Sequence, residues 1–274
     1  MDPYTDPDQQ ADTTIQAMIT RLEERGQHPT FLGMIRDYSA FLSADQPLRV
    51  LDLGCGTGVV IRHLEQTLHS ASILHGADVS QRLLETARQL APNSRIRWDQ
   101  VPPLGLPYDD ASFDAITMHT LLSHVPDPAA ILEEAARILK PGGDLIVFDG
   151  DHAGTTYGLP DYRWMRETDY KLSSAIATQP DICRQMPRHL QNAGYQLRQH
   201  QARIISECGH GDFWLSSVRG FARLIPALGI LPEAEGLAWV SQMLQSHEDG
   251  TFFAAGTFYT FHAVRQSRRK DTAQ

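Results

Sequence analysis

An apolar run, Val50-Leu51-Asp52-Leu53, opens directly onto Gly54-Cys55-Gly56-Thr57-Gly58. Glycines at alternate positions let a backbone turn with positive φ and let a ligand approach main-chain N–H groups, while a helix starting just beyond offers its positive end. The chemistry suggested is the binding of a nucleotide-like molecule. The spacing narrows it, because G-x-G-x-G is not the G-x-G-x-x-G that seats a dinucleotide, so a ligand without a pyrophosphate is expected. Twenty-four residues after Gly54 a second apolar run ends at Asp78. A carboxylate there can accept both hydrogens of a ribose diol, or it can cap the helix that starts near Ser80. Val79 then packs on a flat base or simply in the core. Asp52 has two readings: it holds a charged amino group, or it is a buried carboxylate tied to the N–H groups of its own turn. Cys55 reads as a small residue tolerated in that turn.

His119, His124 and His152 each fall just beyond an expected strand end. An imidazole near neutral pKa suits removal of a proton from an acceptor. With 12 histidines in the chain, some lie near a site by chance. His119, His124 and Asp127 do not make a metal set, since His-x4-His does not fall on one helical face and Asp127 is better placed as a cap, so no metal is expected. Cys55, Cys183 and Cys208 are odd in number and lack C-x-x-C spacing, which argues against a disulfide framework or a cysteine zinc site.

The elements that must position these residues alternate. Strands are expected at 48–53, 72–77, 95–98, 113–118 and 144–149, with helices between them. Val59, Val60, Leu64 and Leu68 mark the first helix. Ser80 caps a second, with Leu83, Leu84, Ala87 and Leu90 inward and Pro92 at its end; Asp127 and Pro128 start a third that stops at Lys140-Pro141-Gly142-Gly143. Pro187 and Gly194 bracket a short helix at 187–193. Later strands are expected at 195–206 and 251–264. Such alternation implies a doubly wound, mostly parallel sheet with helices on both faces.

Residues 1–11 read as mobile, and two helices are expected in 12–45. The organisation that follows is a helical N-terminal cover (1–45), a cofactor-binding core (46–151), a cover insertion (152–180), a helix and strand of the core (181–208), a second helical insertion (209–250), a last core strand (251–266) and a tail (267–274). Tyr157, Tyr162, Trp164, Phe213 and Trp214 line an acceptor pocket or form the cover's own core. Tyr4 and Tyr38 close the site from the N-terminal side. The basic Arg268-Arg269-Lys270 reads as a solvated terminus.

A hydrophobic content of 42% suffices for a buried core, and a net charge of −9 argues against gripping nucleic acid through a general positive field. The acidic, polar start is the reverse of a secretory leader, and no apolar run is long enough to span a membrane, so a soluble protein of the cytoplasm is expected.

The glycine turn with Asp52 resembles the first motif of class I S-adenosylmethionine-dependent methyltransferases. Leu106-Pro107-Tyr108-Asp109-Asp110-Ala111-Ser112-Phe113-Asp114-Ala115-Ile116 is similar to that family's L-P-F-x-D-x-S-F-D-x-V run, and Leu121–Asp127 and Leu139–Gly143 resemble its later segments. The pattern is similar to methyltransferases of type 11, those acting on ubiquinone and menaquinone precursors. The resemblance implies a Rossmann-like, seven-stranded sheet whose last strand runs antiparallel. It implies S-adenosyl-L-methionine as cofactor, S-adenosyl-L-homocysteine as product and a small organic methyl acceptor as partner. Asp52, Gly54, Cys55, Gly56 and Gly58 then surround the methionine part, with His119 near it through its carbonyl, and Asp78 and Val79 hold the adenosine. The family's acidic residue near the adenine amine is replaced here by Pro102, which moves that expected contact to Asp99 and Gln100. Two other functions fit the same fold: a cyclase or pericyclic catalyst that binds the sulfonium without transferring its methyl, and a non-catalytic binding protein.

Overall fold

Alternating strands and helices assemble into one twisted sheet in the computed structural model, which describes residues 2–267. The chain begins with α1 (Asp12–Gln27) and α2 (Pro29–Ser39), then β1 (Arg49–Leu53), α3 (Val59–Thr67), β2 (Ile73–Asp78), α4 (Gln81–Leu90) and β3 (Arg97–Gln100). It continues through β4 (Phe113–His119), α5 (Pro128–Ile138), β5 (Leu139–Gly150), β6 (Thr156–Tyr157), α6 (Tyr162–Ile176) and α7 (Ile182–Asn192). Last come β7 (Tyr195–Gly209), α8 (Phe213–Leu228), α9 (Glu233–Glu248) and β8 (Phe252–Arg265). The strands lie in the order β3-β2-β1-β4-β5-β8; β7 and the two-residue β6 both pair with β8. The first five are mutually parallel, and β8 runs antiparallel to all its neighbours. This is the expected Rossmann-like, mostly parallel sheet with a reversed last strand, brought from seven strands to eight by the two-residue β6. The tail Arg268-Arg269-Lys270 lies outside the described residues.

The two-residue repeat of each strand builds two cores. Val50, Leu74, Ala115 and Ile146 face the side covered by α2 and α3, joined by residues of α8 and α9. Leu51, Ile116, Leu145 and Val147 face the side covered by α5 and α7. Successive side chains of a strand point to opposite faces, so strands buried on both faces read as continuous apolar runs. Ser80 Oγ accepts from Leu83 N at 3.1 Å and Asp127 Oδ1 from Ala130 N at 3.0 Å, capping α4 and α5.

Three expectations change. The third strand lies at 97–100, not 95–98, because Glu65 of α3 takes the N–H of Arg95 at 2.7 Å and ladder pairing starts at Arg97. Pro187 is inside α7 rather than at its start. The buried stripe Ile182, Cys183, Met186 and Leu190 packs into the second core and outweighs the break that a mid-helix proline favours. The N-terminal segment, expected to be mobile, is docked. Buried Asp2 accepts from Tyr4 N at 3.0 Å, pairs with His124 Nδ1 at 2.7 Å and takes Thr178 N at 3.2 Å. Six residues on, Asp8 accepts from Ser80 Oγ and from Gln81 N at 2.9 Å, so it shares the N-terminus of α4 with that helix's own cap.

Candidate functional site

Strand parity decides which polar side chains meet. Neighbours in register on parallel strands point to the same face. Asp52 is in register with Thr117, and His119 with Phe148, all on the face covered by α2. Thr117 Oγ1 donates to Asp52 Oδ1 at 2.7 Å. Asp52 Oδ2 is buried and has no partner among the described residues. Burial, only partly offset by Thr117, pushes the Asp52 carboxyl up to about 7. His119 stacks on Phe148, ring centroids 4.5 Å apart, and its Nδ1 lies 2.8 Å from the Tyr38 hydroxyl. Burial first and Arg25 second pull its pKa down to about 3, so the imidazole is neutral at pH 7.

The glycine turn works differently from its sequence reading. Gly54 N and Cys55 N both donate to Ala77 O, at 2.8 and 3.0 Å; Gly56 N donates to Asp78 Oδ2 at 2.8 Å and Gly58 N to Cys55 O at 2.8 Å. These N–H groups are spent inside the protein, and the glycines serve shape. Gly54 has φ +73°, and a Cβ there would lie 2.6 Å from Leu121 Cδ1. At Gly58, φ is +84° and a Cβ would lie 2.4 Å from Trp98 Cη2. Gly58 thus seats an indole rather than lining the cleft.

Asp52, Gly54, Cys55, Gly56, Asp78, Val79, His119, His124 and His152 all border a cavity of about 410 Å³ beyond the strand ends. Asp78 Oδ1 takes Ser80 N at 2.9 Å, so each of its oxygens holds one backbone donor and keeps acceptor capacity. Burial raises the carboxyls of Asp78 and Asp52 alike, and raises the Cys55 thiol further from its reactive form.

Asp99 and Gln100 do not border the cavity, correcting the adenine contact expected of them. Asp99 is in register with Ala77, which packs in the opposite core, and it is taken up by His75 Nδ1 at 2.7 Å and by the Tyr108 hydroxyl at 2.9 Å. Gln100 turns outward and donates to Val79 O at 3.1 Å. The wall they were to supply is apolar, built by Val79, Val101, Pro102, Leu104 and Leu106.

The three histidines differ in setting. His124 is held by the buried carboxylate of Asp2, and its ring lies 4.8 Å from that of Tyr4. His152 has its Nε2 buried without a partner among the described residues, and burial lowers its pKa to about 3. A second cavity, of about 910 Å³, adjoins the first and shares Pro3, Tyr4, Arg21, Arg25 and His152 with it. Tyr157, Phe213 and Trp214 border this chamber, whereas Trp164 packs against the core and Tyr162 is 73% exposed and borders neither cavity.

Sequence reasoning missed Arg21 and Arg25, the docking of residues 3–7, and Thr120, which borders the cavity with a left-handed φ of +50° at the end of β4. A signal for Arg25 existed. Met18, Leu22 and Arg25 follow the helical repeat of α1, so a charge stands where the stripe calls for an apolar residue.

Residues 51–147 match a family model described as a methyltransferase domain. An uncharacterised 37.1 kDa protein in transposon TN4556 of Streptomyces fradiae is 30% identical over 212 residues, covering 76% of this chain and 60% of that protein. A 2-phytyl-1,4-naphtoquinone methyltransferase of Nostoc punctiforme is 36% identical over 128 residues, 45% of this chain and 54% of that enzyme. The chain thus spans little more than half the length of these curated relatives. A solved S-adenosylmethionine dependent methyltransferase from Mesorhizobium loti shares the fold, with a TM-score of 0.51 at 19% identity over 88% of this chain and 100% of that one. Among the described residues no helix is long and apolar enough to cross a membrane.

Proposed function

The chain carries a class I S-adenosylmethionine-dependent methyltransferase domain, and from that premise we propose that the protein transfers a methyl group to a small organic acceptor held beneath its N-terminal and inserted helices. The observation that carries this reading is the buried, unpartnered Oδ2 of Asp52 in the cavity wall. Leaving a buried carboxylate oxygen unsatisfied is costly, and an ammonium group satisfies it. The rest of the donor set fits the same molecule. Asp78 keeps acceptor capacity for a ribose diol, and the apolar shelf of Val79, Val101 and Pro102 suits a flat base. The spent N–H groups of the glycine turn agree with a ligand that has no pyrophosphate.

When bound, S-adenosylmethionine supplies an electrophilic methyl on a positively charged sulfur. The protein's own part is alignment and exclusion of water, which can account for much of the acceleration of a displacement. His119 and His152 are neutral and weakly basic, suited to accepting hydrogen bonds rather than taking protons. His124 borders the cavity with a carboxylate orienting its ring, so it is the residue for proton removal, with Asp2 positioning it.

Isothermal titration with S-adenosylhomocysteine tests the reading. One site per chain is expected, weakened at least tenfold in Asp78→Ala. No binding at millimolar ligand removes the premise, and turnover of an acceptor without accumulation of S-adenosylhomocysteine favours the cyclase.

A further inference from the structure

His152 stands on the wall shared by the two cavities, at the start of the short turn that follows β5. Its Nε2 is buried and has no hydrogen-bond partner among the described residues. That atom faces the larger chamber. A Cβ built on Gly150 would lie 3.4 Å from it and 3.2 Å from Phe258 Cε1, and Gly150 and Phe258 border the chamber but not the cofactor-side cavity. Gly150 is a strand residue paired with Phe258 and is not among the glycines of positive φ, so its backbone does not require glycine. What the missing side chain leaves is a notch beside the nitrogen, as glycine in a strand does where a ligand approaches closely. The turn that carries the ring is pinned: Asp151 N donates to Thr257 O at 2.9 Å, Ala153 N donates to Pro180 O at 2.8 Å, and Arg184 pairs with Asp151 at 3.0 Å. The imidazole is thus held at the chamber wall, and leaving its buried nitrogen unsatisfied costs free energy that a ligand recovers.

We propose that His152 is a specificity-determining residue whose Nε2 receives a hydroxyl group of the methyl acceptor, which makes the substrate a neutral, flat, hydroxylated molecule. A hydroxyl both donates and accepts, so it satisfies Nε2 in either tautomer, whereas an ether or a ketone serves only the tautomer that carries the proton there. Burial first, then His124, Arg25 and Arg21, lower the imidazole to about 3, so it is neutral at pH 7 and too weak a base to take the proton. His152 therefore holds and orients, while proton removal stays with His124, whose ring centroid lies 6.1 Å away. The charges around the chamber select no ion: the carboxylates of Asp12, Glu24 and Asp212 stand against the guanidiniums of Arg21, Arg25 and Arg223, three of each. Tyr157, Phe213, Trp214 and Phe258 supply aromatic walls that suit a flat ring.

This inference rests on the methyltransferase reading, and its test separates the two. The full chain, saturated with S-adenosylhomocysteine, is titrated calorimetrically with phenol and 2-naphthol, each against its own methyl ether, and with acetophenone and benzoate. At least one of the two hydroxyl compounds is expected to bind about fivefold or more tightly than its ether, since a site built around a hydroxyl rejects the analogue that cannot donate. His152→Phe abolishes that preference, His152→Gln, whose amide oxygen can reach the same point, keeps part of it, and both leave S-adenosylhomocysteine affinity unchanged. Gly150→Ala fills the notch and weakens the hydroxyl compounds in the same way, should the His152 variants fail to fold. The proposal is overturned if neither hydroxyl compound exceeds its ether, if His152→Phe or Gly150→Ala keeps the preference, or if acetophenone or benzoate binds more tightly than phenol. It is overturned equally if His152→Phe weakens S-adenosylhomocysteine as much as the hydroxyl compounds, which assigns the nitrogen to the cofactor. Failure of S-adenosylhomocysteine to bind the unaltered chain instead overturns the methyltransferase reading.

Discussion

Replacing Asp52 with asparagine is expected to stabilise the free protein while crippling cofactor binding. The carboxyl stands at about 7 in the folded chain against an ordinary 3.8. A carboxyl lifted in this way favours the folded state only when protonated: that contribution is whole below about pH 4 and gone above about pH 7. Holding it ionised at pH 8 therefore costs about 4 kcal/mol, at about 1.4 kcal/mol per pH unit of separation. Asparagine removes the charge and keeps an acceptor for Thr117, but it sets an NH2 where Oδ2 has no partner, a penalty of about 1–3 kcal/mol. The balance at pH 8 is a gain of about 1–3 kcal/mol, read as a rise of several degrees in melting temperature. At pH 5 the wild-type cost falls to about 2 kcal/mol, so the advantage shrinks or reverses. S-adenosylhomocysteine affinity is expected to fall about ten- to a hundredfold with the loss of a charge-assisted bond. Scanning fluorimetry between pH 5 and pH 8 and calorimetry at pH 8 check both halves. A variant less stable than wild type at pH 8, or one that binds S-adenosylhomocysteine as tightly, refutes the argument.

Three further outcomes follow from the same geometry. Gly58→Ala adds a Cβ at φ +84°, 2.4 Å from Trp98 Cη2, and should lower stability by about 2–4 kcal/mol in urea titration. Asp8→Ala strips the shared acceptor from the N-terminus of α4; a loss of about 1 kcal/mol is expected, with severalfold weaker S-adenosylhomocysteine binding as the N-terminal segment loosens. In Tyr38→Phe the 2.8 Å bond to His119 disappears, costing about 1 kcal/mol by chemical denaturation.

Much of this architecture is local and was therefore readable in order. A glycine turn after an apolar strand, Ser80 ahead of a helical stripe and Asp127-Pro128 at a helix start are encoded within a few residues, where backbone sterics and orphan N–H groups leave little choice. Asp52 and Asp78 border one cavity because strand ends in a doubly wound sheet gather on one side. Asp99 was misplaced because a single step along a strand swaps faces, and nothing short of the pairing with β2 fixes which face is which. Docking of residues 2–9 was invisible for a related reason: Asp2 meets His124 and Thr178, and Asp8 meets Ser80, across separations that no local pattern records. The spacing of Gly54, Gly56 and Gly58 argues against a dinucleotide within the sequence itself. That their N–H groups are turned inward, and that Arg21 and Arg25 stand at the boundary of two cavities without an ion-pair partner among the described residues, depends on how distant segments close over the sheet, since hydrogen-bond partners and burial are properties of the packed chain.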